Sequence, residues 1–532
     1  MPVRHGSAMS RAAVVPLRNG DFQPRQIVRS IRHACGLRWR QANTRHARRL
    51  TLPTAVPYAF ATLMGTFNLT ELLDDAAGRW PDKPALIDGD NLLSYAGLAE
   101  KVAGLTAQLR TLSLPPGGRI GLSYPNSVEY VALTFALWRL NAVVVPVPLD
   151  DTAEEFSALA TTMQLDAVIS QKPRAGGTAV TPDCFFTRLP PAPPADNHGL
   201  NLAFIRFTSG TTSARKGVAL THETVRARVT TANKALRIGP DDVVVWSLPM
   251  AHHFLITIIL YLSEGATIVL ARHVLARPFL EAVNRWHGTV LYAAPFHYAL
   301  LARDDSGARL DSVRLAVSTT CALPQAVAEG FHKRFGRPLL PALGIIELGL
   351  VSLNTDDPLG RWNSVGRPLA DHQVRILGPD ENGCGEVAVR GPGFFDAYVA
   401  PWIPRERVAP AGWFTTGDIG RLDAAGFLFL ISRQTAVINL AGRKVFPEEI
   451  EAVLNRHPLV RESRVFGRTH PQLGEVVEAE LVLAKPGAPL DSVREFCRDH
   501  LAAYKIPTRL HVVADLPRTP VTGKIRRAAA VA

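Results

Sequence analysis

Sixteen residues near the middle of the chain hold the densest set of groups that could bind a phosphate. Leu202-Ala203-Phe204-Ile205-Arg206-Phe207 is mostly apolar, β-branched and aromatic, the composition of a buried strand. The next ten residues, Thr208-Ser209-Gly210-Thr211-Thr212-Ser213-Ala214-Arg215-Lys216-Gly217, are small and hydroxylated and close on one lysine. Glycine lets backbone N–H groups approach an oxyanion, the hydroxyls of Ser209, Thr211 and Thr212 add donors, and Lys216 adds positive charge. A Walker loop is excluded, because its lysine must be followed by Ser or Thr and here Gly217 and Val218 follow. The stretch reads as a nucleotide loop of another kind.

A second chemical stretch is Ser247-Leu248-Pro249-Met250-Ala251-His252-His253-Phe254. Adjacent histidines suggest a metal, yet no carboxylate or cysteine stands at ligand spacing, which argues against one. Further on, Glu347 in Leu343-Gly344-Ile345-Ile346-Glu347, Asp418 in Thr415-Thr416-Gly417-Asp418-Ile419-Gly420, Arg433 in Ile431-Ser432-Arg433 and Lys524 in Val521-Thr522-Gly523-Lys524-Ile525 are charged residues set in turn-like or strand-end contexts.

Taken together these runs resemble the adenylate-forming acyl-CoA synthetase superfamily, which includes 4-coumarate and fatty-acid CoA ligases. Phe-Thr-Ser-Gly-Thr-Thr-x-x-x-Lys-Gly-Val matches its signature loop, and six motifs follow in family order over about residues 66–528. The resemblance implies that Thr208, Ser209, Gly210, Thr211, Thr212 and Lys216 hold the pyrophosphate end of ATP, with Gly344 beside the nucleotide. It implies that Asp418 accepts from the ribose hydroxyls, for which a carboxylate offers two acceptors, and that Arg433 lies on the nucleotide side. Glu347 is the implied Mg²⁺ ligand, since a hard cation takes carboxylate and phosphate oxygens. His252 is placed beside the substrate carboxylate, and Lys524 in the position of the mobile catalytic lysine. Catalytic roles thus fall to Lys524, His252 and Glu347.

Several positions depart from the family. Ser213 and Arg215 replace Gly and Pro in the loop, Leu343 replaces an aromatic residue that stacks on adenine, and Ile346 replaces a threonine whose hydroxyl meets the α-phosphate. Thr435 stands where the hinge has Asp or Lys. One lost hydrogen bond to a charged group is worth about 1.5–3 kcal/mol, so these changes would weaken activity rather than abolish it. A catalytically impaired nucleotide-binding pseudoenzyme is the alternative of another class.

The substrate expected from these residues is a non-amino carboxylic acid, aromatic or short to medium acyl. His253-Phe254-Leu255-Ile256-Thr257-Ile258-Ile259 contains no acid to receive an ammonium, and burying an unpaired ammonium is costly. Phe254 and Ile258 are the expected apolar pocket wall. The thiol acceptor is coenzyme A or the phosphopantetheine of an acyl carrier protein, which present the same arm; the absence of a long insertion after Asp418 favours coenzyme A.

The elements that must position these residues alternate. Helical patterns over 70–80, 94–110 and 127–140 interleave with strand patterns over 84–87, 119–123 and 142–147, which predicts parallel α/β layers. Strand, helix and strand patterns recur after residue 460. The expected fold is therefore α/β: a large N-terminal domain of layered parallel sheets with helices over 66–432, a hinge at 433–436 and a small mobile C-terminal α/β domain over 437–532.

Composition bounds the rest. The chain has 532 residues, 47% hydrophobic and 20% charged, with a net charge of +12. Residues 1–50 hold eleven arginines against Asp21 alone, so ten of those twelve charges sit there and the remainder is close to neutral. A folded body that bound nucleic acid would be basic itself. Residues 1–65 are expected to be a basic extension, either transit-like or upstream of a true start at Met64. Cys35, Cys184, Cys321, Cys384 and Cys497 are scattered without a Cys-x-x-Cys pair, which suits a reducing compartment. No stretch reaches the roughly 20 apolar residues of a membrane span, and the expected location is cytoplasmic.

Overall fold

The computed structural model describes residues 67–518 apart from 150, 191–194, 208–216, 272–274, 441–442, 471–473, 486 and 488, together with Ile525; the side chains at 435, 439, 443, 444 and 474 are outside the description. Residues Gly65–Ala532 group as one compact unit and Met1–Met64 as another, the latter outside the described residues.

The middle of the large domain is a helix with no polar face. Val128–Arg139 buries every residue from Tyr130 to Trp138, as a helix apolar all round must. Ser127 caps its start by accepting from the Tyr130 N–H at 3.1 Å, and Trp138 Nε1 donates to the Ala203 carbonyl at 2.7 Å. That last bond ties the helix to the strand leading into the phosphate loop.

Two nine-stranded sheets flank this layer. In one, Arg119–Ser123 pairs in parallel with Val143–Pro146 and Ala167–Ser170, and Val143–Pro146 pairs in parallel with Leu202–Phe207. In the other, Pro84–Asp88, Thr267–Leu270, Val243–Trp246, Val290–Ala293 and Leu315–Ser318 run parallel in that spatial order. Most of these strands read as apolar runs because both faces are covered, with Arg119 and Arg206 as charged exceptions. The expected parallel layers are present at the centre of each sheet, while the edges are antiparallel. Leu202–Phe207 is followed antiparallel by Gly217–Thr221, with Phe207 opposite Gly217, so the two ends of the phosphate loop lie across from each other.

A third sheet is wholly antiparallel: Gln373–Leu377, Gly385–Arg390, Phe414–Leu422 and Leu428–Arg433. After it, Ile438–Leu440, Arg443–Val445, Val460–His470, Gly474–Leu483 and Arg509–Val512 make a five-stranded sheet. Its core is separate from the others and draws on Ile438, Val445, Ile450, Leu454, Val477, Leu481 and Val493. The helix expected after residue 460 spans Asp491–His500, and a 3-10 turn follows at Ala503–Lys505.

Candidate active site

The expected site residues lie where strands end. The run after Val243–Trp246 turns into the short helix Met250–His253. Asn126 holds that turn from the facing layer: its Nδ2 donates to the Leu248 carbonyl at 2.8 Å and its Oδ1 accepts from the Met250 N–H at 2.7 Å. His252 is half-buried on this helix, and its neighbour His253 packs edge-on to Trp246 and Tyr292. Burial, helped by the nearby Arg206 and His252 charges, pushes His253 well below the usual histidine range, so its ring is neutral. Among the described residues no group of three or more His, Cys, Asp or Glu could hold a metal. Phe254 is 1% exposed within rings of Tyr130, Phe135 and Trp138, and Ile258 is fully buried. Both belong to the main core.

Glu347 follows the strand Leu340–Ile345 in a turn fastened from three sides. Its carboxylate Oε1 accepts from the Tyr398 hydroxyl at 2.8 Å, and its backbone carbonyl accepts from the Phe395 N–H at 2.8 Å and from Arg228 Nη2 at 2.7 Å. Arg228 also donates through Nη1 to the Ile346 carbonyl at 3.0 Å and through Nε to the Gly393 carbonyl at 2.6 Å. It is 3% exposed, and desolvation pushes its pKa down to about 9 despite Asp396 and Glu347 nearby. Room for it comes from Gly393 and Gly349: a Cβ at these positions would meet Arg228 at 2.5 Å and 3.3 Å, and φ is +75° and +88°. Only glycine meets both demands cheaply. Gly344 is exposed near the end of the strand Leu340–Ile345, three residues before Glu347.

Arg206 lies one residue before the end of its strand, within electrostatic reach of Glu347, Tyr292 and Tyr130. Burial brings its pKa down to about 10, so it stays cationic at neutral pH. Among the described residues no hydrogen bond or ion pair reaches its guanidinium, and Nε is closed to solvent. Tyr130 Oη, which feels the Arg206 charge, is likewise buried without a partner.

Asp418 and Arg433 form a second group on the antiparallel sheet. They are register partners, with Arg433 Nε 2.8 Å from Asp418 Oδ1 and Arg433 Nη1 donating to the Thr416 carbonyl at 3.1 Å. The Asp418 backbone N–H donates to Thr416 Oγ1 at 3.0 Å. At the turn after Leu315–Ser318, Thr320 has φ +78°, a strained value for a β-branched residue.

The expected residues Thr208, Ser209, Gly210, Thr211, Thr212, Lys216 and Lys524 lie outside the described residues, as does the side chain of Thr435. Arg206, Arg228, Tyr398 and Asn126 were not singled out by the sequence. A charged residue inside an otherwise apolar strand was the available signal for Arg206. Arg228, on a helix, and Tyr398, on the short strand Ala397–Val399, carried none.

Comparison with known proteins places this arrangement. The AMP-binding enzyme description matches residues 73–399 and the AMP-binding enzyme C-terminal domain matches residues 449–524. A sulfoacetate–CoA ligase of Cupriavidus necator is 29% identical over 86% of this chain and 96% of its own length. An oxalate–CoA ligase of Arabidopsis thaliana is 28% identical over 87% of this chain and 98% of its own. The crystal structure of ATP-bound MatB from Rhodopseudomonas palustris superposes with a TM-score of 0.76 at 24% identity, covering 87% of this chain and 98% of that one, which establishes the shared fold.

Proposed function

The chain belongs to the AMP-binding enzyme family, and from that premise we infer that it is an acid–thiol ligase activating a non-amino carboxylic acid with ATP. The acid becomes an acyl-adenylate with release of pyrophosphate, and a thiol then takes the acyl group and releases AMP. The observation that supports this most directly is the fixed carboxylate of Glu347, held by Tyr398 and by a turn that Arg228 fastens.

Each residue has a proposed task. His252 orients the substrate carboxylate for in-line attack on the α-phosphorus, and Thr208, Ser209, Gly210, Thr211, Thr212 and Lys216 anchor the departing pyrophosphate. Asp418, with Arg433 behind it, accepts from the ribose, and Gly344 leaves the nucleotide edge unobstructed. A single rigid carboxylate suits a hard cation that takes its other oxygens from phosphates and water, so Mg²⁺ would be held by Glu347 and would offset phosphate charge. Lys524 supplies positive charge where carboxylate and phosphate meet. The domain over 437–532 is proposed to turn about 433–436 after adenylation, withdrawing Lys524 and admitting the thiol, coenzyme A ahead of a carrier-protein arm.

Pyrophosphate release by the full chain with ATP and Mg²⁺, over a panel of aromatic and short to medium acids, tests this reading, with Lys524→Ala as control. Acid-dependent release that disappears in the control, followed by thioester formation on adding coenzyme A, is the expected result. ATP binding without release for any acid would overturn it; thioester formation only with a carrier protein would move the acceptor.

A further inference from the structure

The strand Leu202–Phe207 supplies Phe204 and Arg206 to one face, two residues apart. Phe204 is 1% exposed in the main core, so a charge at 206 is out of keeping with the rest of that face. A guanidinium in such a place is held at a free-energy penalty unless an anion meets it. Glu347 is the one acid that raises its pKa, and that carboxylate is engaged by Tyr398 and, on the reading above, by the metal–nucleotide pair. The other charged or ionisable groups in reach are Tyr292, Tyr130, His253 and Arg228, none of them anionic at neutral pH. Arg206 as a whole keeps partial exposure while its Nε is closed off, so its exposed part lies toward the Nη end.

Resting on the ligase reading, we propose that Arg206 binds a second anionic group of the acid substrate, a carboxylate or sulfonate at the end away from the reacting carboxyl. The substrates are then compact acids with two negative charges. Such a site differs from the apolar acyl pocket expected from Phe254 and Ile258, both of which belong to the main core. A cation at residue 206 would repel an ammonium and reward a dianion. Arg206 is a specificity residue that touches the substrate but not the atoms that react.

The test compares kcat/KM for pyrophosphate release between matched acids: short dicarboxylates, ω-sulfonated acids and benzene dicarboxylates against the monocarboxylates that lack the second group. Wild-type protein is expected to favour the dianions by at least about tenfold, the discrimination available when a charged hydrogen bond is gained or lost. In Arg206→Met that ratio should fall by about 10- to 100-fold, mostly through KM, and Arg206→Lys should recover part of it because a point charge replaces a fork. ATP-induced thermal protection reports whether each variant is folded, and the wild-type ratio decides the matter even if Arg206→Met does not fold. A wild-type preference for monocarboxylates, or an equal loss for all acids in Arg206→Met, would overturn the second anion site while leaving the ligase reading intact. No release with any acid would overturn the ligase reading and this inference with it.

Discussion

Asp418 and Arg433 face each other in register across the antiparallel pair Phe414–Leu422 and Leu428–Arg433, with Arg433 Nε 2.8 Å from Asp418 Oδ1. The two are unequal in surroundings: the Asp418 side chain is 8% exposed and that of Arg433 is 49% exposed. The arginine therefore fixes the carboxylate from its solvent side. A cross-strand pair of opposite charge suits that purpose, since strand register sets the separation without further ordering.

Asp418→Asn keeps the shape of this pair and removes its charge. If the carboxylate binds the ribose diol, KM for ATP should rise about 10- to 100-fold, the loss expected for hydrogen bonds to a charged acceptor. Global stability should change by no more than about 1 kcal/mol, because Arg433 is exposed enough for water to replace its partner. Steady-state kinetics and urea unfolding read the two effects separately. An unchanged KM for ATP would remove the ribose assignment.

Glu347→Gln and Tyr398→Phe should differ in their response to metal. The first removes the anionic ligand and should lower kcat for adenylation by at least about 100-fold at any Mg²⁺ concentration. The second removes one 2.8 Å hydrogen bond to Oε1 and leaves the charge, a loss of about 1.5–3 kcal/mol at most. Excess Mg²⁺ should recover part of the Tyr398→Phe loss and none of the other. Titrating Mg²⁺ at fixed ATP is the measurement, and equal recovery of both variants would argue against Glu347 as the ligand.

Arg228 is a stability residue at the back of the site. Its three donors satisfy the Ile346, Glu347 and Gly393 carbonyls, and Arg228→Met would leave those acceptors without it in a dry environment. A destabilisation of about 3–5 kcal/mol is expected, the range for breaking a buried charged network. Arg228→Lys should recover little, because an ammonium cannot reach three carbonyls in a fork geometry. Denaturant midpoints check both, and a shift under about 1 kcal/mol would show that the turn holds itself.

Much of this architecture was legible in the sequence where local signals and tertiary demands agree. The helix Val128–Arg139 begins where Ser127 and its apolar run said it should, and Arg119–Ser123 matches its predicted bounds. Asn141 adopts φ +54°, a left-handed value that asparagine tolerates better than most residues. The antiparallel edges were not legible as such, because an apolar strand reads the same whichever way its neighbour runs. The family resemblance implied a pocket-wall role for Phe254; what the local pattern did not carry is its ring contacts with Tyr130, Phe135 and Trp138 in the core. Arg228 and Tyr398 were illegible for another reason. Each acts on Glu347 from more than fifty residues away, and nothing in a local pattern encodes that distance.

The last prediction concerns pH and rests on His222, the first residue of the helix His222–Leu236. It is 1% exposed, packs edge-on to Trp138, and its Nδ1 accepts from the Leu69 N–H at 3.1 Å. That bond fixes the neutral ring with its proton on Nε2, and burial pushes the pKa down from 6.5 to about 4. A helix N-terminus disfavours the imidazolium as well. In the unfolded chain the residue titrates at its ordinary value, so above pH 6.5 neither state binds the proton and stability is at its full value. Between pH 6.5 and 4 the unfolded state takes up a proton that the native state refuses, and stability falls as pH falls. Over pH 7 to 5 this amounts to about 2 kcal/mol from His222 alone. His253, His297 and His372 are shifted the same way and steepen the total. His222→Gln offers a carbonyl to the Leu69 N–H and does not titrate, so its urea stability should lose about 2 kcal/mol less than wild type between pH 7 and pH 5. Parallel losses in the two proteins would show that His222 protonates in the native state and that its burial does not set the acid limit of the fold.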